Sequence, residues 1–69
     1  MTETEFLTKL GARIKELRIT KNISQKDLAI ECNFEKASMS RIESGKTNIT
    51  ILTLYKISNA LETEIKDFF

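Results

Sequence analysis

Histidine and proline are absent from this 69-residue chain, cysteine occurs once and glycine twice. Each scarcity removes a class of function. Without histidine the commonest general base and metal ligand is gone. With no glycine-rich phosphate loop and no paired carboxylates in an evident pocket either, no enzyme, cofactor or small-molecule ligand is expected. A lone cysteine rules out a disulfide framework and a four-cysteine zinc site. Cys32 shares an apolar helical face with Leu28 and Ala29, so it reads as a small buried filler. The lack of proline, with Leu, Ile, Lys, Glu and Ala common, favours helices throughout. No apolar run approaches a membrane span. The opening MTETEF lacks the basic-then-apolar plan of a signal peptide, and a cytoplasmic location is expected.

What is present fits one small all-α domain over residues 1–69. A hydrophobic content of 41% is ordinary for a folded domain. The net charge is only +1, but it is unevenly spread. Residues 9–46 carry nine basic groups against five acidic ones, while both ends are acidic. An electrostatic footprint for phosphate belongs in that middle part, although solvated helix faces would give a similar pattern.

Periodicity divides the chain into helices. Leu7, Leu10, Ile14 and Leu17 make an apolar stripe on a first helix from about Thr4 to Lys21, capped by Thr2 or Thr4. Gly11 lies inside it, a position that costs roughly 1 kcal/mol against Ala unless another helix approaches closely. Ser24 caps a second helix, and Asp27 three residues on is close to a capping box. Asn33 stands where that helix should stop in a left-handed conformation. A third pattern runs from about Glu35 to Ser44, with Met39 and Ile42 inward and Gly45 closing it. Thr50 caps a fourth, about Ile51 to Leu61, whose apolar positions are Ile51, Leu54, Ile57 and Leu61, with Leu52 and Tyr55 on adjacent faces. Thr63 to Phe69 allows one or two further turns. Two short helices around a tight turn, over about residues 24–45, form the geometry that places a helix in the DNA major groove.

At these residues the chain resembles the Cro/cI-type (XRE) helix-turn-helix family. The matching pieces are LGARIKELR at 10–18, SQKDLA at 24–29, SMSRIESGK at 38–46, TNIT at 47–50, TLYKISNAL at 53–61 and a closing FF. The resemblance implies a compact five-helix, lambda-repressor-like fold that binds double-stranded DNA, usually as a two-fold dimer. It assigns base contacts to Lys36, Ala37, Ser40 and Arg41. Arg41 suits a bidentate pairing with guanine, and Ala37 a thymine methyl. It assigns phosphate contacts to Ser24, Gln25, Ser44, Lys46, Thr47 and Asn48. It also implies an Arg18–Glu43 ion pair joining the first helix to the end of the third. Arg13 is open between a phosphate contact and a surface salt bridge.

The chain departs from the family pattern at several positions. Glu35 stands where Ser or Thr would cap the third helix. Ile49 replaces a common proline. Glu62 and Glu64 replace the usual Gly and Ser. Ile30 lies at a position usually polar.

The apolar residues left exposed, Phe6, Leu52, Tyr55, Ile65, Phe68 and Phe69, predict a homodimer formed by helix four and the C-terminal segment, over about residues 50–69, with Leu52, Tyr55, Ile65, Phe68 and Phe69 at its interface. Phe68 and Ile65 can instead close the core of each copy. The function expected is therefore a small dimeric transcriptional regulator, a repressor or controller. The alternative is an antitoxin or protein-interaction adaptor on the same fold.

Overall fold

Helices follow from the caps. The computed structural model describes residues 1–69 as α1 (Glu3–Thr20), α2 (Gln25–Glu31), α3 (Lys36–Glu43), α4 (Ile51–Ala60) and a terminal 3-10 helix (Ile65–Phe68). Thr2 starts α1 with a full capping box: its hydroxyl accepts from the Glu5 N–H, and its own N–H donates to the Glu5 carboxylate. Ser24 and Thr50 accept from the N–H groups of Asp27 and Thr53 to start α2 and α4. Of the four α-helices only α3 begins without a side-chain cap, because Glu35 at its N-cap makes no such bond.

All four α-helices end in one way. Asn22, Asn33, Gly45 and Glu62 each adopt positive φ, between 54° and 72°. In every case the next residue's N–H reaches five residues back: Ile23 to Arg18, Phe34 to Ala29, Lys46 to Arg41 and Thr63 to Ser58. This is the Schellman motif, which satisfies the last carbonyls and reverses the chain in a single residue. The short, polar connections follow from it. Gly45 is required twice over, since a Cβ there would also lie 2.6 Å from the Thr8 Cα.

The core comprises Leu10, Ile14, Leu28, Ala29, Cys32, Met39, Ile42, Leu54, Ile57, Leu61 and Phe68. It draws on every element. Gly11 faces the end of α3, where a Cβ would come within 2.4 Å of the Ile42 carbonyl oxygen. The glycine is thus the close-approach point that lets α3 lie directly on α1. Burial pushes the Cys32 thiol above its ordinary pKa, and its Sγ sits 3.8 Å from the Lys56 carbonyl. An inert packing group fits both observations.

Two expectations are corrected at the C-terminal end. The fifth helix is a single 3-10 turn; four α-helices are present. And Phe68 does not face outward: only 4% of its surface is exposed, because the turn inserts its ring into the core. Ile65 packs against that core, half-buried. The turn is fixed from a distance by Arg13, whose Nε donates to the Asp67 carbonyl at 2.9 Å while its guanidinium also pairs with Glu16. Arg13 is therefore engaged within the protein.

Candidate nucleic-acid interface

The third helix is held from beneath by a polar network. Arg18 Nε donates to one Glu43 carboxylate oxygen at 2.7 Å and Nη2 to the other at 3.1 Å. Its Nη1 donates to the Ile23 carbonyl at 2.9 Å. Gln25 Nε2 adds a third bond to Glu43, at 3.2 Å. Both charged residues are buried, and no buried side-chain polar atom lacks a partner. Such a pair tolerates burial because its two-pronged geometry and its additional bonds offset the loss of hydration. Four groups thereby join the end of α1, the loop after it, the start of α2 and the end of α3. The angle at which α3 is presented depends on this knot.

Above the knot, α3 turns Lys36, Ala37, Ser38, Ser40 and Arg41 to solvent, while Met39, Ile42 and Glu43 point inward. Lys36, Arg41 and Lys46 form no ion pair with any acidic side chain of the chain. Their charges are therefore uncommitted. Arg41 also borders a cleft of about 300 Å³ shared with Ser38, Thr47, Asn48, Thr50 and Thr53. The cleft joins the exposed face of α3 to the linker before α4. One base-reading candidate, Arg41, thus lies beside two backbone-contacting candidates, Thr47 and Asn48, in a cleft that Phe34, Ile42 and Ile49 also line.

The expected site residues are not equally free. Ser24 spends an acceptor on its cap, and the Ser44 hydroxyl donates to the Ser40 carbonyl at 2.8 Å. One N–H of Gln25 is committed to Glu43. That bond links residues 18 apart, and no local pattern signals it. Ser38 was not among the candidates, yet it is exposed beside Arg41 in the cleft. Its signal was available: it lies three residues before Arg41, one turn away on the same side of the helix.

The helix-turn-helix family HTH_3 matches residues 14–68 of the chain. The chain belongs to that family. Among its relatives, control protein C.BamHI of Bacillus amyloliquefaciens is 38% identical over 58 residues, covering 83% of this chain and 72% of that one. Control protein C.MunI of a Mycoplasma species is 32% identical over 62 residues, covering 88% and 84%. The crystal structure of the restriction-modification controller protein C.AhdI from Aeromonas hydrophila superposes with a TM-score of 0.91 at 31% identity, covering 94% of this chain and 98% of that one. Membership identifies the protein as a DNA-binding transcriptional regulator. No helix is long and apolar enough to cross a membrane.

Proposed function

We propose that the protein is a small homodimeric controller or repressor that inserts α3 into the major groove of its operator. The observation that carries this reading is the uncommitted cationic face of α3, seated by the buried Arg18–Glu43 pair. Lys36, Ala37, Ser40 and Arg41 face base edges, with Ser38 beside them. Ser24, Gln25, Ser44, Lys46, Thr47 and Asn48 contact the flanking phosphates and set the register. Similarity to control proteins C.BamHI and C.MunI, and to the restriction-modification controller protein C.AhdI, supports a role in controlling restriction–modification genes.

Dimerisation uses the face of α4 that the core leaves open. Leu52 and Tyr55 are more than half exposed, at 61% and 52%, and Phe69 is 69% exposed. Phe69 stacks on Phe6 of α1, with ring centroids 5.9 Å apart, and both border a groove shared with the exposed Ile51 of α4. Ile65 is half-buried, and Phe68 remains inside each copy.

Titration of duplex DNA at two salt concentrations tests the reading. Affinity falls steeply as salt rises, because each neutralised phosphate releases counterions. No detectable binding at low salt would instead favour the adaptor or antitoxin role.

A further inference from the structure

Glu35 places a negative charge on the surface assigned to read DNA. It occupies the N-cap of α3 in extended conformation, with φ −76° and ψ 151°, and gives that helix no side-chain bond. The caps of the other three α-helices, Thr2, Ser24 and Thr50, all make theirs. Neither does Glu35 join any of the chain's three ion pairs. It is exposed, immediately before Lys36. The result is an unpartnered carboxylate at the leading end of the helix assigned to the major groove, where the first residues of a recognition helix meet base edges. Repulsion from phosphate lowers affinity for every sequence alike, unless some base returns a bond.

Only two groups in the major groove can return one. An ionised carboxylate accepts hydrogen bonds and cannot donate. Guanine offers N7 and O6 and thymine O4, all acceptors; only cytosine N4 and adenine N6 present amino donors. We propose that Glu35 is a specificity-determining residue that accepts a hydrogen bond from an exocyclic amino group, cytosine N4 or adenine N6, and rejects guanine and thymine at the same position. Discrimination then comes from opposed partners in sequence: Glu35 selects a donor base, and Lys36 and Arg41 select acceptor bases. The missing helix cap is the structural counterpart, since a Ser or Thr there would secure the helix start but would not exclude acceptor bases.

The inference rests on α3 lying in the major groove, and the test separates the two. Wild-type protein, Glu35→Ala and Glu35→Ser are titrated against duplexes that vary each half-site position through all four bases. Serine restores a capping side chain, so it keeps the comparison valid if alanine loosens the helix start. For the wild type, one position favours cytosine or adenine over guanine and thymine by about tenfold. Both variants lose that preference at that position alone, and both bind random duplex more tightly than the wild type does. Replacing the favoured base with a pyrimidine lacking its 4-amino group, or a purine lacking its 6-amino group, weakens the wild type and leaves both variants unchanged. The responding analogue distinguishes cytosine from adenine. Equal changes on every duplex, or none, would overturn the proposal and make Glu35 a solvent-facing charge. Failure of the wild type to bind any duplex at low salt would overturn the DNA reading itself.

Discussion

Individual residues divide by whether their bonding capacity is already spent. Lys36, Arg41 and Lys46 have charge to offer, while Arg13 and Arg18 have committed theirs to Asp67, Glu16, Ile23 and Glu43. Arg41→Ala should therefore relax specificity at one base position, at a cost of about 1–3 kcal/mol against the preferred base. Lys46→Ala should weaken all sequences about equally and make the slope of log affinity against log salt shallower by about two for a dimer, one phosphate from each copy. Titration of matched and mismatched duplexes across a salt series checks both. Backbone strain is also local. Glu62 holds φ 54° at the end of α4, a conformation that costs a non-glycine residue about 1–2 kcal/mol. Glu62→Gly should stabilise the protein by about 1 kcal/mol and raise its melting temperature by about 4–8 °C. Unchanged or lower thermal stability would show that the carboxylate side chain contributes more than the strain removes.

At the level of elements, what could be read from sequence depended on how far apart the cooperating residues lie. Helix starts at Ser24 and Thr50, the stop at Asn33 and the inward faces of α1 and α3 all follow from neighbours a few positions away, and the structure has them. Gly11 was legible too, because a glycine inside a helix needs a reason. The terminal turn was not, because its conformation depends on Arg13, 54 residues earlier, and on Phe68 entering a core built by the other helices. Within the site, the exposed face of α3 was legible from its period, while the Gln25–Glu43 bond was not. The knot beneath α3 makes a strong prediction. Glu43→Ala leaves the Arg18 guanidinium buried without its carboxylate and should cost about 3–5 kcal/mol in chemical unfolding; Glu43→Gln should cost less. The terminal turn has its own signature. A hydrogen bond from the Thr63 hydroxyl, and another from the Glu64 N–H, hold the Asp67 carboxyl below its ordinary pKa. With the folded value depressed, this contribution is complete above the unfolded carboxylate range and is lost as pH falls through the folded value. Acidification should loosen residues 63–69 before the rest, as followed by their amide resonances. Asp67→Asn should remove that pH dependence.

For the whole molecule, size argues for pairing. Its extents are 30 × 24 × 21 Å, so one copy spans less than one turn of B-DNA, about 34 Å, and a second copy on the next turn extends the sequence that can be read. Leu52 and Tyr55 supply the contact by the reading above. Leu52→Glu should leave each copy folded but make it monomeric in sedimentation velocity, since losing the burial of one leucine costs about 1.5–3 kcal/mol and adds like charges across the two-fold axis. Binding to a two-half-site duplex should weaken in parallel. A variant that stays dimeric would move the interface elsewhere on the surface. The central claim is that paired copies of α3 read DNA, and selection of bound sequences from a random duplex pool tests it most directly. A two-fold symmetric motif is predicted, with half-sites one helical turn apart, about 10–10.5 base pairs centre to centre. Recovery of no enriched motif, or of a single motif without symmetry, would contradict it.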